Sequence, residues 1–147
     1  MPSGHSSVVE RLVANEKVEG SNPFARSKIC LKLFTMFDLS KKKCIACDGD
    51  TLPFDTSEIH KYLKKIDDWE VKSNNDKNFY LIKDFKFKNF EESQNFVNKV
   101  GNIAEEENHH PDITFGWGYC TIKIFTHAIK GLAESDFILA AKVDKIN

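Results

Sequence analysis

Apolar residues recur along this chain in two periods, and the switches between them mark out seven elements. Ile59, Leu63 and Ile66 stand at helical spacing with Tyr62 beside them, which predicts a helix with one buried stripe. Asp55 and Glu58 have the spacing of a capping box at its start, and Asp67-Asp68 ends it. Residues 69–72 and 79–87 read as two strands around a polar turn at 73–78, with Phe79, Leu81, Phe85 and Phe87 in partial alternation. Asn89 is the expected N-cap of a second helix, with Glu91 and Glu92 in a first turn that favours carboxylates. Phe96, Val97, Val100, Ile103 and Ala104 form its apolar face. It should end near Glu107 or Asn108, because Pro111 drives His110 into an extended conformation. Residues 112–115, a Gly116-Trp117-Gly118 turn and residues 119–126 predict a hairpin rich in β-branched and aromatic side chains. Gly131 interrupts the chain. Ser135-Asp136 then opens a last helix that buries Phe137, Ile138 and Ala141.

The order α-β-β-α-β-β-α predicts a single α+β domain of roughly 105 residues, an antiparallel sheet with helices packed on one face. A 147-residue chain with 41% hydrophobic and 29% charged residues fits one soluble domain. The formal net charge of -1 offers no electrostatic case for nucleic acid or an anionic membrane. The longest apolar run, residues 29–37, carries Lys32 and falls well short of the ~20 residues a membrane helix needs. Four cysteines without a secretory signal point to a reducing compartment, hence to the cytoplasm. Cys44 and Cys47 have CxxC spacing but no second pair follows, so their role reads as structural or incidental. His60 is expected on an exposed helix position, and Lys41-Lys42-Lys43 as a solvated run.

The first 35 residues look foreign to the rest. A transit peptide would suit Arg11 and Arg26 but not Glu10, Glu16 and Glu19. Ser6-Ser7-Val8-Val9-Glu10-Arg11-Leu12 followed by Gly20-Ser21-Asn22-Pro23 instead resembles a translated tRNA gene, whose T-arm codons GGT TCG AAT CCC encode Gly-Ser-Asn-Pro. The expectation is that residues 1–35 are a non-native or disordered extension, that Met36 is the true start, and that the domain occupies residues 36–147.

The candidate chemistry lies in Glu105-Glu106-Glu107-Asn108-His109-His110-Pro111-Asp112 and in Thr126-His127-Ala128. Imidazole is the side chain whose ordinary titration lies nearest neutrality, so clustered histidines suit proton transfer or metal binding. With Phe115 opposite Tyr119 in the hairpin, His127 falls opposite position 107, and His109 shares its face as a diagonal neighbour. His110 would point the other way on an ideal strand. Asp136 at the start of the last helix could orient an imidazole, and Glu105 on the last turn of the second helix is a further carboxylate within reach. Three histidines could bind catalytic zinc with water in the fourth position, or work as acid and base without metal; spacing does not separate the two.

These residues also carry a family resemblance. Glu105-x3-His109-His110-Pro111-Asp112, Gly116-Trp117-Gly118, Thr126-His127-Ala128 and Gly131-Leu132-x3-Asp136-Phe137-Ile138-Leu139-Ala140-Ala141-Lys142 resemble pterin-4a-carbinolamine dehydratase. Lys42-Lys43-Cys44-x2-Cys47 and Phe85-Lys86-Phe87-Lys88-Asn89-Phe90 extend the likeness over about residues 38–145. The resemblance implies dehydration of a 4a-hydroxytetrahydropterin to the quinonoid dihydropterin, without metal or cofactor, in a homodimer or homotetramer. It implies an aromatic amino acid hydroxylase as functional partner, in tetrahydrobiopterin recycling. It makes His109, His110, His127 and Asp136 the catalytic residues, and Glu105, Pro111 and Trp117 substrate contacts. The alternative it leaves is a non-catalytic dimerisation, assembly or transcription co-regulator protein of the same fold. One departure is Ala133, where many relatives place Ser or Thr as helix cap; that weakens the cap by about 1 kcal/mol unless Ser135 substitutes.

Overall fold

Residues 38–45 and 50–146 are described by a computed structural model; the expectations for residues 1–35, for the start at Met36 and for Cys47 lie outside the described residues. A 3-10 turn at Leu39–Lys41 leads to helix α1 (Thr56–Leu63), strands β1 (Glu70–Ser73) and β2 (Phe79–Lys86), helix α2 (Phe90–Glu107), strands β3 (Asp112–Gly116) and β4 (Tyr119–Ile124), and helix α3 (Glu134–Val143). The expected order holds, with most boundaries shifted by one or two residues; α1 ends at Leu63, earlier than the expected Asp67-Asp68, and leaves Ile66 beyond it, still buried. Asp55 caps α1 through the Glu58 N–H, and Glu58 takes the Asp55 N–H in return. Asn89 caps α2 by accepting the Glu92 N–H at 2.8 Å.

The four strands form an antiparallel sheet in the order β1-β2-β4-β3. Alternation decides which face is covered. Leu81 lies opposite Ile124, Lys83 opposite Ile122 and Phe85 opposite Cys120, and Leu81, Cys120, Ile122 and Ile124 are fully buried. They meet Phe96, Val100 and Ala104 of α2 and the apolar run Phe137–Ala141 of α3. The helices therefore cover one face of the sheet, and Tyr80, Asp84, Tyr119 and Lys123 occupy the other. The break in the β2 alternation is Lys83. Its ammonium faces inward and is held by the Asp144 carboxylate at 2.7 Å and the Asp67 carbonyl at 2.5 Å. Asp144 also accepts the Trp69 indole N–H at 3.0 Å, so one carboxylate after α3 holds both β2 and the segment that leads into β1.

The hairpin corrects the expected register. It turns over Trp117 and Gly118 alone, pairing Gly116 with Tyr119 and Phe115 with Cys120, one position from the expected pairing of Phe115 with Tyr119. Gly118 takes φ +76° in the turn, and the Tyr119 ring packs so closely over Gly116 that a Cβ there would lie 2.6 Å from it. A one-residue slip exchanges the faces of every side chain, so the diagonal pairing of His109 with His127 does not form.

Candidate active site

Helix α2 ends in a way that aims His109 inward. Asn108 adopts the left-handed conformation, φ 50° and ψ 40°, which asparagine tolerates better than most residues. The His109 N–H then reaches back to the Ala104 carbonyl at 3.0 Å, and the Asn108 N–H to that of Glu105 at 3.2 Å. This closes the helix and turns the chain sharply. The His109 side chain, 14% exposed, meets the start of α3 with Nε2 2.8 Å from Asp136 Oδ1.

Asp136 is completely buried. Its Oδ2 accepts the Thr126 hydroxyl at 2.9 Å and the Ala133 N–H at 2.7 Å. The second contact is the surviving half of a capping box: Ala133 stands at the N-cap of α3 without a side-chain acceptor, and Asp136 takes its N–H. Ser135 does not substitute as the cap, because it is occupied elsewhere. Its hydroxyl donates to the Ile45 carbonyl at 2.8 Å and accepts the Ile45 N–H at 3.2 Å. A carboxylate can only accept hydrogen bonds, so the hydrogen between His109 and Asp136 resides on Nε2, and Nδ1 is the ring nitrogen left for other work.

His110 follows with its side chain 56% exposed, Nε2 lying 2.9 Å from Glu105 Oε1. The sequence marks Glu105 as a carboxylate within reach without naming its partner. Pro111 is half-buried between them and β3. His127 is exposed in the turn after β4, its ring 4.2 Å from that of Phe125. It lines a cavity of about 450 Å³ on the open side of the sheet with Tyr80, Lys123, Phe125 and Lys130. Asp136 thus pairs with His109 and not with His127. The two still share an anchor, since Thr126, the neighbour of His127, is bonded to Asp136. Trp117 does not join them within one protomer. It is 71% exposed at the hairpin tip, whereas the histidines lie at the open end of the hairpin, seven to ten residues along the chain and more than about 20 Å of strand away.

Two residues near the site have contacts that the sequence reading does not supply. Glu107, the last residue of α2, is buried and accepts the Lys142 ammonium at 2.6 Å and the Cys44 N–H at 2.7 Å. Burial would raise its carboxyl; those two donors outweigh it and hold the pKa below the ordinary glutamate value. Cys44 lies beside them with its thiol 3.4 Å from the Ser135 carbonyl, and burial, followed by the Glu107 charge, pushes its pKa up to about 12, which keeps it unreactive near neutrality. Glu107 continues the helical spacing of Phe96, Val100 and Ala104, a signal that could have found it; the partners of Cys44 follow no local pattern. His60 is exposed and bonded to its own helix, Nδ1 2.6 Å from the Thr56 carbonyl. Lys42 in the expected solvated run pairs with Glu134 at 2.6 Å. Among the described residues no three His, Cys, Asp or Glu side chains converge to hold a metal ion, and no helix is long and apolar enough to cross a membrane.

A family model described as Pterin 4 alpha carbinolamine dehydratase matches residues 52–146. A relative from Rubrobacter xylanophilus, provisionally named a pterin-4-alpha-carbinolamine dehydratase, is 46% identical over 111 residues, 76% of this chain and 100% of its own length. One from Rickettsia bellii under the same provisional name is 47% identical over 107 residues, 72% of this chain and 91% of that protein. Among solved structures, a transcriptional coactivator/pterin dehydratase from Brucella melitensis superimposes with a TM-score of 0.55 at 25% identity, covering 62% of this chain and 94% of that one.

Proposed function

Since this chain belongs to the pterin 4 alpha carbinolamine dehydratase family, we propose that it removes water from a 4a-hydroxytetrahydropterin to give the quinonoid dihydropterin. The C4a–O bond breaks as a proton is delivered to the departing hydroxyl. The proton on N5 is removed, and its electron pair forms the C4a=N5 double bond. One base and one acid suffice, and imidazoles suit both tasks near neutrality. His109 is the base: Nδ1 is its open nitrogen, and the buried Asp136 carboxylate compensates the charge that the ring acquires on taking a proton. His110, paired with Glu105, and His127, on the open side of the sheet, are the candidates for the acid and for pterin contact, with Pro111 as a further substrate contact. The observation that carries this reading is the His109–Asp136 contact.

The same reading makes an aromatic amino acid hydroxylase the functional partner in tetrahydrobiopterin recycling, since 4a-hydroxylation of the cofactor supplies this substrate. It makes the protein a cytoplasmic homodimer or homotetramer, and Trp117 can contact a pterin only across protomers. The test is disappearance of 4a-hydroxytetrahydropterin, followed by absorbance with purified protein. A rate equal to the uncatalysed one, or one unchanged in His109→Ala and His127→Ala, ends the enzymatic reading. The double name of the Brucella melitensis neighbour keeps a second reading, a co-regulator of transcription, which such a result would favour.

A further inference from the structure

The group that holds Asp136 in place has no role in the reading above. Asp136 is buried without an ion pair to lysine or arginine among the described residues, and its two oxygens are used differently. Oδ2 receives Thr126 Oγ1–H at 2.9 Å and the Ala133 N–H at 2.7 Å, while Oδ1 faces His109 at 2.8 Å. A carboxylate torsion is broad when nothing restrains it. With the Ala133 N–H alone on Oδ2, the group could swing about that one bond. The second donor, Thr126, comes from a different direction and defines the carboxylate plane. Thr126 is itself immobilised: it is buried, its N–H bonds the Gly131 carbonyl at 2.9 Å and its carbonyl accepts the Gly131 N–H at 3.4 Å. A β-branched side chain has few χ1 rotamers open to it, and the bond to Asp136 selects among them. The hydroxyl is therefore a rigid donor carried from the end of β4 to the start of α3.

We propose that Thr126 is a positioning residue for the reaction: through Asp136 it fixes His109 as the Nε2–H tautomer and turns Nδ1 toward the substrate. Thr126 touches no reacting atom. It matters because Oδ1 must stay a pure acceptor in one place. If the carboxylate rotates, His109 can exchange its hydrogen to Nδ1, and the nitrogen meant to receive the substrate proton is blocked. The inference rests on His109 acting as an acid/base group, and its test separates the two claims.

The experiment uses the full chain, labelled with ¹⁵N-histidine, with His109→Asn to assign its signals. Thr126→Val removes the hydroxyl at nearly constant shape; Thr126→Ser restores it. Wild type and Thr126→Ser should give the Nε2–H tautomer of His109, and Thr126→Val a mixed population. Thr126→Val should lower kcat by about tenfold, the worth of one hydrogen bond to a charged group, with KM within twofold, and Thr126→Ser should recover most of that loss. If Thr126→Val fails to fold, Thr126→Cys takes its place against Thr126→Ser, because the thiol is a weaker donor of similar size. An unchanged tautomer and kcat in the folded hydroxyl-deficient variant overturns the proposal. So does a Thr126→Ser as impaired as that variant. If wild type turns over no pterin, the function proposed above fails, and the tautomer signals still decide whether Thr126 sets His109.

Discussion

His109 Nε2 and Asp136 Oδ1 meet at 2.8 Å across 27 residues of sequence, joining the C-terminal end of one helix to the N-terminal start of another. The contact commits one face of an imidazole to a buried carboxylate and leaves the other free. Its consequences are measurable from both partners.

Asp136→Asn should keep the shape of the site and lose its polarity. The amide cannot accept from the Ala133 N–H, the Thr126 hydroxyl and His109 with both of its groups, so the imidazole loses its fixed tautomer. Dehydration should slow by a hundredfold or more, on the order seen when an orienting aspartate becomes an amide. Single-turnover rates on a 4a-hydroxytetrahydropterin measure it. Asp136→Ala should in addition cost about 1–3 kcal/mol for each buried donor left without an acceptor, read by urea denaturation.

The two adjacent histidines should separate by stability. His109 is 14% exposed at its side chain and His110 56%. His109→Ala leaves Asp136 Oδ1 buried without its donor and should cost about 1–3 kcal/mol. His110→Ala should stay within about 0.5 kcal/mol of wild type while still slowing turnover. Equal destabilisation of both variants in a thermal melt would contradict the burial difference.

Lys83 and Asp144 form a part-buried ion pair at 2.7 Å, their side chains 15% and 7% exposed. Lys83→Ala should cost about 1–3 kcal/mol, because it takes the cation from a carboxylate that keeps only the Trp69 and Asp67 N–H donors. Replacing both, Lys83→Met with Asp144→Leu, should cost less than the sum of the single changes. A double-mutant cycle in urea gives the coupling directly.

Acid sensitivity should trace in part to Glu107. Its carboxyl is held below the ordinary value of 4.5 by the Lys142 and Cys44 donors against the opposing effect of burial. A group depressed in the folded state adds stability that is fully present above its unfolded pKa and fades as pH falls through the folded one. Glu107→Gln should therefore be less stable than wild type near pH 7 and lose less on going from about pH 5 to pH 3. Denaturation midpoints across that range test the sign.

A chain beginning at Met36 should fold and turn over substrate like the full chain. The Rubrobacter xylanophilus relative is matched over its whole length by 111 residues of this one. A melting temperature well below that of the full chain would show that residues 1–35 contribute to the fold. The nucleotide sequence upstream of the Met36 codon decides the tRNA-gene origin, which fails if no tRNA fold is encoded there.

Much of the architecture was legible because local rules govern it. The 3.6 period of Phe96, Val100 and Ala104, the Asn89 and Asp55 caps and the Gly118 turn each act within a few residues. The histidines and Asp136 stood out as titratable types at a helix end and a helix start. What local rules could not supply was register and partnership. A hairpin of two loop residues and one of three differ by a single step, and that step moved His127 away from the face of His109. Lys83 on an inward position finds its partner in Asp144, 61 residues away. Whether Ser135 could stand in for a cap at Ala133 depended on Ile45, 90 residues away, which occupies its hydroxyl.

By itself the sequence determined the order of elements, the sheet class and the residue types available for proton transfer, because periodicity and capping are short-range. Only the tertiary structure decided that Asp136 holds His109, and that Thr126 and the Ala133 N–H hold Asp136. Those choices depend on hydrogen bonds between groups distant in sequence. A buried carboxylate takes whichever donors the packed helices and strands bring to it, and no local pattern names them in advance.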